Sequence, residues 1–107
     1  MKVEIERRFK NPKRKRKVSI RVNNEDVDSL FSTLSKIICP CLKRFLKKVE
    51  SPPWDVAPDD WKAILSKMIW SFQQINSRKE IIEGTDYAKR VDEGFELFGK
   101  WYRDLWY

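Results

Sequence analysis

The first residues of the chain alternate between apolar and polar side chains in two short segments. In residues 2–8, Val3 and Ile5 alternate with acidic residues, and residues 18–22 alternate in the same way. A period of two with β-branched side chains predicts β-strands. An Asn-Pro turn signal at 11–12 lies between the segments, so we predict one β-hairpin with a long tip. Because two strands alone are marginally stable, we expect this hairpin to lie on helices or to pair with another chain.

After the hairpin, apolar residues recur every three or four positions, which is typical of an amphipathic helix. Asn23 or Asn24 is predicted to cap this helix, since an asparagine side chain accepts a hydrogen bond from the first turn. The apolar positions of the helix are Val27, Leu30, Phe31, Leu34, Ile37 and Ile38. Pro40 is expected to kink or restart the helix, because proline lacks a donor and clashes with the preceding turn. The apolar stripe then resumes at Leu42, Phe45, Leu46 and Val49.

Two longer apolar stripes follow and predict two further helices. Pro58 suits the first turn of one helix, which carries Trp61, Ile64, Leu65, Met68, Ile69, Phe72 and Ile75. Thr85 is a favourable cap for the last helix, which carries Tyr87, Val91, Phe95, Phe98, Tyr102 and Leu105. Residues 78–84 fit either a helix end or a loop. Gly94 and Gly99 are expected where another backbone packs closely, because glycine inside a helix costs about 1 kcal/mol relative to alanine.

These elements define an α+β fold class with an N-terminal β-hairpin followed by three or four helices, the last two long and antiparallel. We expect one domain over residues 1–107, made of a basic β-hairpin at 1–22 and a helical body at 23–107. The chain is 41% hydrophobic and 13% aromatic, which is sufficient for a packed core. No apolar stretch reaches the roughly 18 residues of a membrane span, and no signal-peptide pattern opens the chain.

The two cysteines carry little chemistry in this context. Cys39 and Cys41 are separated by one residue, and the chain contains no histidine. That spacing is poor for a disulfide, and the ligand set falls short of a zinc site. We therefore interpret both as reduced thiols and expect a cytoplasmic protein with no bound metal or cofactor.

Positive charge is concentrated at the start of the chain. The net charge is +7, and residues 1–21 hold ten Lys and Arg against two Glu, which gives this segment +8. Such an asymmetry favours an anionic partner. Residues 12–18, PKRKRKV, resemble a nuclear-import signal, but a phosphate-contacting tip or a merely solvated turn fits the same run. The predicted anion-binding residues are Lys13, Arg14, Lys15, Arg16 and Lys17 in the run, with Lys43, Arg44, Lys47 and Lys48 opposite the stripe at 42–49.

Aromatic residues divide into predicted core and predicted interface positions. Core spacing is shown by Trp61, Phe72, Phe95, Phe98 and Tyr102. The interface candidates, which lie in loops or broaden an apolar stripe, are Trp54, Trp70, Leu97, Trp101 and Trp106. Unpaired hairpin edges and this broad last helix predict a homo-oligomer, formed through the C-terminal helix or by pairing of hairpin edges.

An enzymatic function would have to rest on carboxylates. The spacing of two Glu pairs is similar to the magnesium sites of helical nucleotide pyrophosphohydrolases; the residues are Glu80, Glu83, Glu93 and Glu96. Gly84 and Thr85 interrupt the helical pattern after the first pair, and solvated helix faces often show such spacings. We therefore expect no enzymatic activity.

The last two helices also carry a family resemblance. Residues 61–72 read WKAILSKMIWSF, and residues 94–106 read GFELFGKWYRDLW. They resemble the W-x-x-I-L-x-x-M-I-W-A-F and G-L-x-L-F-x-K-Y-F-x-x-L-W helices of a group of small uncharacterised tailed-bacteriophage proteins. The upstream stretch from Ile20 to Leu42 is similar to their D-V-W-S-L … T-L-A … I-x-P-x-L segment, so the resemblance covers roughly residues 18–107. Gln73 departs from the Glu common in that group, and the basic N-terminus is not a shared feature. The resemblance implies a phage protein and implies no particular activity.

The functional hypothesis is a non-enzymatic phage accessory protein that uses its basic hairpin to bind a nucleic acid or a nucleotide in the host cytoplasm. The alternative is a protein-interaction inhibitor of a host factor or an antiviral defence system. Neither hypothesis includes a membrane partner.

Overall fold

A computed structural model of the chain describes residues 1–6 and 17–106. The described chain forms two compact units, Met1–Leu30 and Phe31–Tyr107. The predicted fold class is confirmed: a two-stranded hairpin precedes the helices, and the last two long helices are antiparallel. In chain order the elements are β1 (Lys2–Ile5), β2 (Val18–Arg21), α1 (Asn24–Asp28), α2 (Leu30–Lys48), α3 (Pro58–Asn76), α4 (Asp86–Trp101) and a 3₁₀ turn (Tyr102–Asp104).

The hairpin has one apolar face that is open to solvent. Strands β1 and β2 pair antiparallel, with Val3 opposite Ile20 and Ile5 opposite Val18. Side chains directly opposite each other in such a pair lie on the same face of the sheet, so these four residues form one apolar surface. All four side chains are exposed. The hairpin therefore presents apolar surface as well as the two edges of its two-stranded sheet.

Helix α1 begins at one of the two predicted caps. Asn23 is the N-cap residue, and its backbone N–H donates to Asp26 Oδ2 at 2.8 Å. The N-terminal ammonium of Met1 forms an ion pair with the same carboxylate at 3.1 Å. The hydrogen bond from Asn23 and then the ammonium group lower the pKa of Asp26.

The predicted first helix is divided in the structure. Helix α1 ends at Asp28, and α2 begins at Leu30. Between them Ser29 has φ −129° and ψ 66°, which lies outside the helical region. Helix α2 then runs through Pro40 as one element, so of the predicted kink or restart the restart does not occur.

The core is formed where α3 packs against α2 and α4. Its buried cluster consists of Cys39, Leu42, Trp61, Leu65, Met68, Ile69 and Phe72. The predicted close helix crossing is present at Gly94, where an added Cβ would lie 2.5 Å from the carbonyl oxygen of Lys67. At the same crossing the buried Ser71 Oγ donates to the carbonyl of Val91 at 2.7 Å. Gly99 has no described atom near enough to require glycine, so the expectation of close packing was wrong there.

Helix α4 starts as predicted and ends earlier than predicted. Thr85 Oγ1 accepts a hydrogen bond from the N–H of Ala88 at 3.2 Å, which caps the first turn. The ambiguous segment before it is a connection that includes Gly84 at φ 85°. Because α4 ends at Trp101, Tyr102 lies in the 3₁₀ turn and is 63% exposed. Its assignment to the core was therefore wrong.

Candidate functional site

The predicted anion-binding residues fall on two elements. Lys13, Arg14, Lys15 and Arg16 lie outside the described residues, whereas Lys17 precedes β2 and is exposed. The other four, all exposed, occupy the last turns of α2: Lys43, Arg44, Lys47 and Lys48. Lys17 belongs to the first compact unit and the α2 residues belong to the second.

Helix α2 carries charges of one sign only. Its sequence contains five cations, among them Lys36, and no acidic residue. Cations in the last turn lie beside the negative end of the helix dipole, so Lys47 and Lys48 also stabilise the helix itself. Residues four positions apart share a helix face, with a rise of about 6 Å between them. The cations therefore form two adjacent rows, Lys43 with Lys47 and Arg44 with Lys48.

A second face of α2 is apolar and open. The buried face of this helix consists of Ser35, Cys39 and Leu42. Beside it lies a seam whose members are spaced alternately by three and four residues: Phe31, Leu34, Ile38, Cys41 and Phe45. Phe31 is 65% exposed and Leu34 is 43% exposed. The apolar arc of α2 is therefore wider than its contact with the core.

The open seam borders a groove on the surface of the second unit. The groove has a volume of about 290 Å³, and its lining residues are Ile37, Ile38, Cys41, Leu42, Phe45, Phe98 and Leu105. Phe98 is held in place by edge-to-face contact with Phe72 at 5.1 Å. On the other side it contacts the exposed Tyr102 at 5.5 Å. One wall of the groove is thus anchored directly to the core.

A polar cleft of about 270 Å³ lies between α3 and α4. Within it Lys67 Nζ forms an ion pair with Glu93 Oε1 at 2.8 Å, and the Arg90 guanidinium lies 4.1 Å from the centre of the Trp70 ring. The carboxylate already neutralises one cation, and the other already covers the aromatic face. The two cations and the one carboxylate that line the cleft therefore all have partners within the chain.

The predicted interface residues have different environments. Trp54 is 90% exposed and Trp106 is 74% exposed. Trp70 and Trp101 are half-buried and have internal partners, since Trp70 packs edge-to-face on Tyr87 and Trp101 packs in the same way on Trp61. Leu97 is also half-buried and packs against the core cluster. Two of the five candidates therefore present large aromatic surfaces to solvent.

Sequence reasoning missed the groove although its signal was present. The seam residues were divided between stripes that were assigned to the core, and Cys41 was treated only as a thiol. The signal was the width of the apolar arc on α2, which exceeds what one neighbouring helix covers. Leu105 had no such signal, because its position in the groove depends on the chain turning after Trp101.

Comparison of the chain with protein-family models, curated proteins and solved structures finds no match. Within residues 1–6 and 17–106, no helix is long and apolar enough to cross a membrane. Over the same residues, no group of three or more Cys, Asp or Glu side chains is placed to hold a metal ion.

Proposed function

We propose that the protein is a non-enzymatic binding protein whose partner is a nucleic acid. The observation that carries this proposal is the exposed cationic surface of α2, which has five cations and no acidic residue. The +8 charge of residues 1–21 supports it, since both segments favour a polyanion. Lysine and arginine that meet phosphates release counterions, so affinity depends steeply on salt.

A binding titration at several salt concentrations tests this proposal. Fluorescence anisotropy is measured with a duplex, a single strand and a mononucleotide, because a nucleotide is the alternative anionic ligand. The double variant Lys43→Ala/Lys47→Ala is expected to lower the salt slope by about 1 for each phosphate that the variant no longer neutralises. Lys62→Ala/Lys89→Ala is the matched control, because it removes two exposed cations from α3 and α4. No binding at low salt, or equal weakening in both variants, would contradict the proposal.

The hairpin run is tested separately. Replacement of Arg14, Lys15, Arg16 and Lys17 by alanine is expected to reduce the salt slope by a few units if these residues meet phosphates. An unchanged slope would leave the α2 surface as the sole phosphate-binding element. The two variants together separate a one-element from a two-element interface.

A second candidate function is inhibition of a host factor or an antiviral defence system through protein contact. The exposed indoles of Trp54 and Trp106 favour it, because amphipathic aromatics are enriched in protein interfaces. The resemblance to tailed-bacteriophage proteins is the reason to propose action in the cytoplasm of an infected host. Capture from host lysate distinguishes the candidates: a stoichiometric partner that survives nuclease treatment supports inhibition, and a partner that nuclease treatment removes supports nucleic-acid binding.

A further inference from the structure

The open groove of the second unit has the geometry of a helix-docking site. Along α2 the open seam runs from Phe31 to Phe45 with alternating steps of three and four residues, and the groove lies beside its second half, from Ile38 to Phe45. This spacing is the one at which side chains of a neighbouring helix interdigitate. The fifteen residues from Phe31 to Phe45 span about 21 Å of helix, which matches one amphipathic helix of similar length. Phe98 and Leu105 close the groove on its far side.

Charge selects among possible occupants. Arg44 lies three residues after Cys41, and Lys48 lies three residues after Phe45, so this row of cations flanks the seam. Because α2 contains no acidic residue, a second α2 packed along it would place like charges side by side. An acidic helix would meet the same row with opposite charge, which favours association and fixes orientation.

We propose that this groove binds an acidic amphipathic helix of another protein. The apolar face of that helix occupies the seam, and its carboxylates pair with Arg44 and Lys48. This mode is the helix-in-groove recognition in which apolar anchors supply affinity and flanking charges supply specificity. It does not require nucleic-acid binding, although Arg44 and Lys48 also belong to the cationic surface of α2 on which that proposal rests. The other row of cations, Lys43 and Lys47, lies across the buried face of α2 from the seam, so variants of the two rows distinguish the two sites.

Synthetic peptides of about 18 residues test the proposal. The first has leucine at alternating steps of three and four with glutamate at the flanking positions. The second has lysine in place of each glutamate, and the third is a scramble of the first. Binding to the full chain is measured by calorimetry, and the contacted residues are mapped by NMR shift changes. The first peptide is expected to bind at least tenfold more tightly than either control, with shifts at Ile37, Cys41 and Phe98.

Three variants assign the contacts. Arg44→Glu/Lys48→Glu is expected to weaken binding of the acidic peptide by about tenfold or more. Lys43→Glu/Lys47→Glu introduces the same change in net charge away from the seam and is expected to weaken it much less. Phe31→Ala removes an exposed seam side chain without opening the core and is expected to weaken binding severalfold.

Four outcomes would overturn the proposal. They are no binding of the acidic peptide at low salt, equal binding of the scramble, equal effects of the two charge reversals, and a dimer of the chain that dissociates on Phe31→Ala. The last would assign the seam to a second copy. Loss of nucleic-acid binding in Lys43→Ala/Lys47→Ala with peptide binding intact would separate this site from the one proposed above.

Discussion

Two glycines in the same helix have opposite roles at the residue scale. Gly94 faces the backbone of α3, and a Cβ there would lie 2.5 Å from Lys67 O. We therefore expect Gly94→Ala to destabilise the fold by about 1–3 kcal/mol, as overpacking does. No neighbouring atom of the described residues lies within 4 Å of a Cβ added at Gly99, so Gly99→Ala is expected to stabilise α4 by up to about 1 kcal/mol. Urea unfolding of the two variants measures both effects, and changes of the same sign would contradict this account.

Asp26 predicts a pH dependence of the first unit. The N–H of Asn23 and the N-terminal ammonium lower the pKa of Asp26 in the folded chain. The ionised carboxylate therefore favours folding above the usual Asp pKa of about 3.9, and this contribution is lost as the pH falls through the lowered pKa. Amide hydrogen exchange in α1 measures it against Asp26→Asn. The difference between wild type and variant is expected at neutral pH and should shrink in acid, whereas a constant difference would refute this origin.

At the element scale, the sequence predicted the first residues of the helices more accurately than it predicted which neighbours bury their apolar side chains. Thr85 and Pro58 mark helix starts by local chemistry, and the structure places both as expected. Periodicity correctly marked Phe31 as part of an apolar stripe, yet it does not say which neighbour buries such a residue. The assignment of Tyr102 to the core was wrong for a different reason. The 3₁₀ turn at 102–104 changes the face on which its side chain emerges. The groove was missed for both reasons, because it lies beside the uncovered stripe of α2 and is closed by Leu105, which follows the 3₁₀ turn.

Helix α2 contains a proline in its interior, so we expect that replacing this proline raises the stability of the protein. Pro40 has no N–H to donate to the carbonyl of Lys36, and it is exposed. Pro40→Ala is expected to raise the free energy of unfolding by up to about 3 kcal/mol, the usual helix-propensity difference. Pro58→Ala is the matched control, because Pro58 lies in the first turn of α3, where no intrahelical bond is lost. Thermal unfolding measures Tm for both variants. An equal rise in Tm for both, or no rise for either, would contradict the interpretation.

At the scale of the whole molecule, composition predicted the chemistry of the surface and left its geometry open. The excess of cations was visible in residues 1–21 and in α2. What counting could not show is that α2 has three distinct faces, one buried, one cationic and one apolar and open. That division depends on how α3 and α4 pack against the helix, since the core buries Cys39 and Leu42 and half-buries Ile38 and Phe45. Phe31 and Leu34 stay exposed.

Self-association is expected through the hairpin. The C-terminal helix is a less suitable contact surface than the sequence predicted. Gly94 already packs against α3, and Trp101 already packs on Trp61 at 5.7 Å. The described hairpin still offers a surface for self-association, since Ile5 and Ile20 lie on an exposed apolar face and both strands are edge strands. Pairing with a second hairpin would bury that face and satisfy edge groups, which a two-stranded sheet cannot do alone.

Light scattering across the micromolar range tests this expectation. Wild type is expected to show the mass of a dimer or larger oligomer, and Ile5→Thr/Ile20→Thr is expected to shift it towards the monomer. The substitutions keep β-branched side chains, so strand propensity is largely preserved while apolar area falls. Trp101→Ala is expected to lower stability without changing the mass. A monomeric wild type would refute self-association, and an oligomer that responds to Trp101→Ala alone would place the contact on α4. Because each hairpin carries the basic run, dimerisation by this route would bring two such runs into one particle and steepen the salt dependence of nucleic-acid binding.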